Sequence, residues 1–226
     1  MSRPPRRELD GILLLDKSLG LSSNQALQQA RRLFQAEKAG HTGSLDPLAT
    51  GVLPVCFGEA TKLSGMLLDS DKRYIARVRL GQRTSTGDAE GEVIETSDPA
   101  GLRIDHFEAV RNRFLGLIRQ VPPMYSALKH EGRRLYELAR SGEEVERAPR
   151  EVKIHEQELV SLEDSELRIS VRCSKGTYIR TLAEDLAAAV GQCAHLSSLR
   201  RTEVHPFGAL RIWTFDELQV LADQGL

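Results

Sequence analysis

Residues 72–80, KRYIARVRL, alternate without a break: Tyr74, Ala76, Val78 and Leu80 fall on one side, Arg73, Ile75, Arg77 and Arg79 on the other. A period of two is that of a strand, here with one apolar face bearing a tyrosine and one basic face. Earlier in the chain, GILLLDK (11–17) is a short apolar run suited to a buried strand. Ala26, Leu27, Ala30, Leu33 and Phe34 then recur at helical spacing behind Ser22 and Ser23, both candidate caps, which predicts a helix to about Ala36. VLPVCFG (52–58) reads as a second strand, in which Pro54 predicts an edge position or a bulge. Glu59 to Leu68 fits a short helix carrying Lys62.

After Gly81 the period is lost. QRTSTGDAEGE predicts a turn or loop, with Asp88 and Glu90 as solvated turn residues. Asp105 to Phe114 fits a helix with Asp105 as cap and Phe107, Val110 and Phe114 on one side. Between Pro122–Pro123 and Pro149 lies a segment mixing Arg, Lys, Tyr and Gly around a short helix near Arg133–Ala139. Such a basic insertion suits clasping RNA and suits a plain surface loop equally. Strands are predicted at 152–162 and 166–173. Gly176 and Thr177 then open a helix whose inward face is Ile179, Leu182, Ala183, Leu186 and Val190, closed by Gly191. A last strand falls at 193–204 and a terminal helix at Thr214–Asp223. Strands and helices mix without a βαβ rhythm, and no GxGxxG or P-loop appears. The expected class is α+β, with a mixed, largely antiparallel central sheet flanked by helices.

Composition acts mainly by exclusion. At 226 residues, 40% hydrophobic and 28% charged, the chain is an ordinary globular one, long enough for one large domain or two lobes. No uncharged apolar run reaches the roughly 18 residues of a membrane span, and MSRPPRRELD lacks the core of a signal peptide, so a cytoplasmic protein is expected. Cys56, Cys173 and Cys193 are odd in number, far apart and flanked by apolar residues, which predicts reduced core thiols. Six histidines form no HxxH or HExxH pattern and no carboxylates cluster at ligand spacing, so no metal is expected.

The net charge of −1 argues against binding polyanions through overall charge. Local clusters remain: Arg3, Arg6 and Arg7; Lys72, Arg73, Arg77 and Arg79; Arg133 and Arg134; Arg147, Arg150 and Lys153; Arg200 and Arg201. Each alone reads as a solvated face, but their repetition near glycines and aromatics favours nucleic acid. One placement is unusual: Lys175 and Arg180 bring positive charge to the positive end of a helix dipole, which predicts an answering anion, either a carboxylate or a ligand phosphate. Another is GHTGSLDPLATG (40–51), where Asp46 is the one acid among small residues, directly before a proline. By itself that is a turn former.

Taken together and in order, AGHTGSLDPLATGVLPVCFGEATK, DSDKRYIARVRLGQRT and CSKGTYIRTLAEDL resemble the TruB family of tRNA pseudouridine synthases, and the similarity runs from GILLLDK to LRRTEV. The resemblance implies a pseudouridine synthase fold and an enzyme that converts one uridine in the T loop of tRNA, position 55, to pseudouridine. The N1–C1′ bond breaks and the base rejoins through C5, without cofactor or metal. Asp46 matches the catalytic aspartate, Tyr74 the aromatic residue that packs on the target base, and Arg180 the arginine paired with the aspartate. His41 and Lys62 match pocket-shaping, loop-engaging positions, Tyr178 a pocket-lining motif, and Leu199 an apolar pocket wall. A carboxylate among rings keeps its charge only beside a cation, which an arginine supplies at any working pH. The target base must leave its stack, and an aromatic face replaces that stacking at about 1–3 kcal/mol. Glycines 40, 43 and 51 are expected to let the RNA backbone come close.

The resemblance further implies a monomer whose partner is the tRNA T arm, and a catalytic domain over 1–226 with a thumb-like insertion at about 122–150. Bacterial family members usually continue into a C-terminal PUA-type domain; the sequence stops at Leu226, so the expectation is that the domain is absent here, either because this is a piece of a longer chain or because this member lacks the module. The alternative reading is a catalytically silent RNA-binding or tRNA-folding module; retention of both Asp46 and Arg180 speaks against it. A glycosidase would need a second carboxylate, and none is suitably placed.

Overall fold

The computed structural model describes residues 6–208 and 210–224, so Arg3 of the leading basic cluster lies outside the described residues. In chain order the elements are β1 (Gly11–Lys17), α1 (Ser23–Leu33), β2 (Ala39–His41), β3 (Ala49–Phe57), a 3₁₀ segment (Gly58–Leu63), α2 (Ser64–Leu68), β4 (Lys72–Leu80), β5 (Gln82–Thr84) and β6 (Val93–Thr96). There follow α3 (Ile104–Arg111), a second 3₁₀ segment (Asn112–Phe114), β7 (Gly116–Gln120), β8 (Lys129–His130), β9 (Arg133–Arg134), α4 (Leu135–Arg140) and β10 (Arg150–Glu163). The chain closes with β11 (Glu166–Cys173), α5 (Ile179–Ala188), β12 (Ala194–Val204) and α6 (Phe215–Asp223). The class is α+β with a mixed, mostly antiparallel sheet flanked by helices. Two compact units are formed, one from residues up to Tyr74 together with Leu199 onwards, the other from Ile75–Ser198.

In the first unit β3 is the middle strand. It pairs antiparallel with β1 from Gly11↔Phe57 to Lys17↔Gly51, antiparallel with β2, and parallel with β12 over Leu199↔Ala49 to Arg201↔Gly51. The buried side of α1, Ala26, Leu27 and Ala30, packs with Leu15, Leu53, Val55, Phe57 and Leu218 of α6. Of the two candidate caps of α1, Ser22 does the capping: its hydroxyl accepts from Gln25 N, and the Gln25 side chain returns to Ser22 N.

Pro54 corrects an expectation, because β3 has neighbours on both sides and its register with β1 is unbroken. The Pro54 carbonyl accepts from Thr42 N at 3.1 Å, on the flank where β2 ends at His41. A strand residue's N and O face the same way, so the missing donor costs no ladder bond where the neighbour gives out.

Gly51 corrects another. Its φ is +101°, and a Cβ there would lie 2.1 Å from the carbonyl oxygen of Arg201. The glycine answers the protein's own parallel strand rather than an approaching RNA. Gly51→Ala is expected to cost about 3–5 kcal/mol, against about 1 kcal/mol for Gly20→Ala, since Gly20 shares a positive φ but opens onto free space. Thermal unfolding of the two variants checks this, and equal shifts would refute it.

In the second unit the strand order is β4-β11-β10-β7. The alternation read in β4 is real: Tyr74, Ala76, Val78 and Leu80 are buried and Arg77 and Arg79 exposed. β10 carries register shifts after Ile154 and Leu159, and α3 packs on β10 and α5. Asp105 is not the cap of α3. Arg103 holds that position and its backbone N donates to His106 Nδ1 at 3.1 Å, while the Asp105 side chain is 75% exposed. The stretch expected as a loop after Gly81 begins as β5, which pairs with β6. The insertion folds as the β8–β9 hairpin and α4, with Leu135 and Leu138 buried and the Arg134 and Arg140 guanidiniums 5.9 and 5.6 Å from the Tyr136 ring. All three cysteines are buried, and none is in a disulfide among the described residues.

Candidate active site

The Asp46 loop belongs to the first unit, and its backbone is tied at every residue near the acid. Leu45 N donates to Ser23 Oγ at 2.7 Å, and Ser23 Oγ donates to Leu45 O at 3.0 Å. The Asp46 carbonyl accepts from Ala49 N at 3.0 Å. Pro47 O accepts from Gly20 N at 2.9 Å and from the buried Lys17 Nζ at 3.4 Å, while Lys17 also donates to Ser18 O and Leu21 O. Asp46 itself is half-buried.

Below this loop lies Arg201, 1% exposed, donating to Val52 O at 2.7 Å and Gly43 O at 3.1 Å. His41 ends β2, half-buried, and its Nδ1 has no hydrogen-bond partner among the described residues. Burial first, and then the Arg201 charge, push its pKa below the ordinary histidine value, so the imidazole is neutral at neutral pH. Leu199 is buried on β12 directly beside Ala49. Tyr74 is 9% exposed, on the same face of β4 as buried Lys72, whose Nζ donates to Leu68 O and Ser70 O. The first unit thus sets His41 and Gly43 of the Asp46 loop beside one buried guanidinium, with Leu199 on the same face of β12. Lys62 stands apart: it sits on the exposed 3₁₀ segment in an ion pair with Glu59.

In the second unit Tyr178 is the residue before α5, half-buried. Its N donates to Gln120 Oε1 at 3.1 Å and its carbonyl accepts from Gln120 Nε2 at 3.2 Å, so one buried amide holds both backbone groups. Arg180 follows, buried in the first turn of α5. Its two terminal nitrogens donate to Thr86 O at 2.8 Å and Tyr125 O at 2.7 Å. An Asp88 carboxylate oxygen lies 3.8 Å away, and both side chains are nearly sealed, at 6% and 5% exposure.

Asp88 is therefore not a solvated turn residue. It supplies the anion that positive charge at a helix start demands. The turn is fixed by Thr86 Oγ1 and Glu90 N, which donate to Asp88 Oδ1 at 2.6 and 3.1 Å. Backbone bonds from Ala89 N to Leu196 O and from Leu196 N to Gly87 O tie it to β12. Glu90 is exposed, as expected. A buried pair like this contributes geometry more than stability, because desolvation of two ions offsets their attraction.

Four side chains here escaped sequence reasoning: Asp88, Gln120, Ser23 and Arg201. The helix-start cation was a usable signal for the first. Arg201 shares a strand face with buried Leu199, a placement hidden by reading Arg200–Arg201 as a basic cluster. Arg200 is not a free cation either, since its guanidinium grips the Asp16 carboxylate at 3.0 and 2.7 Å.

Glu184, one turn after Arg180, lies against this turn: a Cβ on Gly87 would be 3.3 Å from its carboxyl oxygen. Burial raises its pKa to about 7; Arg83 and Arg180 oppose the rise, Asp185 and Asp88 add to it. Between the ordinary carboxylate value near 4.5 and about 7, the folded chain holds a proton that the unfolded chain has released, so stability falls as pH rises through that window. Allowing for partial exposure, the loss is on the order of 1 kcal/mol. Melting followed from pH 4.5 to 8 should show the decline in wild type and a flatter profile in Glu184→Gln; parallel profiles would remove Glu184 as the cause.

Among the described residues no cluster of three or more His, Cys, Asp or Glu is placed to hold a metal ion, and no helix is long and apolar enough to cross a membrane.

Residues 31–179 match the profile of the TruB family pseudouridylate synthase N-terminal domain, and residues 180–224 that of the tRNA pseudouridylate synthase B C-terminal domain. A tRNA pseudouridine synthase B of Chromohalobacter salexigens is 59% identical over 213 residues, which are 94% of this chain and 69% of the relative. Among solved structures, a Cbf5-Nop10-Gar1 complex aligns with TM-score 0.71 and 32% identity, covering 94% of this chain and 54% of the other. An H/ACA RNP bound to a substrate RNA containing 2′-deoxyuridine aligns with TM-score 0.70 and 27% identity, covering 96% of this chain and 56% of the other. The chain thus spans about half the length of these solved chains. With these matches over nearly its whole length, the chain belongs to the TruB family of pseudouridylate synthases.

Proposed function

We propose that this chain isomerises the T-loop uridine of tRNA to pseudouridine, with Asp46 as the catalytic carboxylate. The observation that carries the reading is the 59% identity to a tRNA pseudouridine synthase B over a span that includes the Asp46 loop, β4 and the start of α5. The geometry supports it. Asp46 projects from backbone held by hydrogen bonds at Leu45, Asp46 and Pro47, which suits a carboxylate acting on a precisely presented sugar or pyrimidine. Arg180 is a permanent cation already oriented by two carbonyls and Asp88, so no reorganisation is needed when charge develops on the rearranging uridine.

The remaining roles follow the chemistry of each group. Tyr74 offers a ring to an extruded pyrimidine. Tyr178 and Leu199 each offer apolar surface to the substrate. Neutral His41 acts by shape and hydrogen bonding rather than proton transfer. Lys62 and the insertion, with exposed Lys129, His130, Arg133 and Arg134, meet phosphates of the RNA, as expected for recognition of a folded loop.

The test is direct. Wild-type protein incubated with an unmodified T-arm stem-loop, without added metal or cofactor, should leave a carbodiimide adduct that survives alkali at the T-loop uridine. Tight binding with no adduct would favour the silent RNA-binding module instead.

A further inference from the structure

Two adjacent serines open α1 and only one of them caps it. Ser22 faces its own helix. Ser23, 4% exposed, turns the other way, and its single hydroxyl meets both backbone groups of Leu45, the residue before Asp46. On the far side of Asp46 the grip comes from Gly20 N and Lys17 Nζ on Pro47 O, and Asp46's own carbonyl is held by Ala49 N. Leu45 is itself buried, so no solvent stands ready to replace a lost partner.

We propose that Ser23 is a positioning residue for the reaction at Asp46: its hydroxyl sets the peptide from which the carboxylate projects, and so governs the rate of the chemical step rather than the affinity for RNA. This rests on the functional reading above. Removing the hydroxyl strands a buried N–H and a buried C=O together, and the cheapest repair is for the loop to move toward other partners or for water to enter. Either change relocates the acid, and displacements below an ångström are enough to slow an oriented reaction severely. Ser22 provides an internal control, because its loss weakens the same helix end without touching Leu45.

The experiment compares Ser23→Ala, Ser22→Ala and wild type in single-turnover conversion of the T-arm stem-loop at saturating protein, with binding and melting measured in parallel. Ser23→Ala should convert about tenfold or more slowly, with its T-arm Kd within about twofold of wild type. Ser22→Ala should melt earlier yet convert at the wild-type rate. A wild-type rate in Ser23→Ala, or an equal slowing in Ser22→Ala, would overturn the proposal. Should Ser23→Ala not fold, Ser23→Cys replaces it: the longer, weaker thiol should also slow conversion, and an unchanged rate would overturn the proposal in the same way. Absence of product from wild type would instead bring down the functional reading, and this inference with it.

Discussion

Asp46→Asn is expected to reduce conversion of the T-arm uridine by about 10³-fold or more while leaving RNA binding intact. The amide keeps the size of the side chain, and the loop is held through the backbone of Leu45, Asp46 and Pro47, so its path should survive the change. What is lost is one negative charge, and on the proposed reading the ligand is a polyanion. The Kd for tRNA should therefore stay constant or fall slightly, never rise. Single-turnover conversion together with a filter-binding isotherm checks both halves. Residual conversion within tenfold of wild type would remove Asp46 from the chemistry.

Arg180→Lys should carry the second largest effect, about 10²-fold in turnover with little change in affinity. An ammonium cannot reproduce a planar fork that reaches the Thr86 and Tyr125 carbonyls while facing Asp88. Asp88→Asn should give a similar though smaller defect, since it leaves the guanidinium in place but removes the charge that orients it. In the double variant the losses should be far from additive, as for groups that act as one unit. Additive losses, or equal losses in turnover and affinity, would mean that Arg180 serves as a phosphate contact instead.

Elements with a strong period were legible in the chain. β4 and the inward faces of α1 and α5 repeat apolar residues over seven or more positions, and tertiary structure only confirms what such a repeat demands. Legibility failed where one residue's partner is distant in sequence. Asp88 sits in a polar stretch whose local chemistry says turn, and its burial depends on Arg180, some ninety residues on. Gly51 is flanked by small residues that suggest an open loop, yet its need for no side chain comes from Arg201 alongside. Ser22 and Ser23 were equivalent as letters and differ in backbone: Ser22 is the extended cap whose hydroxyl turns back to Gln25 N, whereas Ser23 is the first helical residue and reaches Leu45. The motifs located the Asp46 loop, but the groups that brace it carry no local signature.

Arg201 leaves one consequence for how the protein meets its ionic surroundings. Its guanidinium is shut away from solvent, whereas Lys129, Arg133 and Arg134 stand in it. Dissolved counterions crowd around the exposed cations and weaken their pull on a polynucleotide, but they cannot follow a charge into the protein interior. Ionic strength is thus a handle on the encounter alone, and the field felt at His41 and Gly43 stays as folding left it.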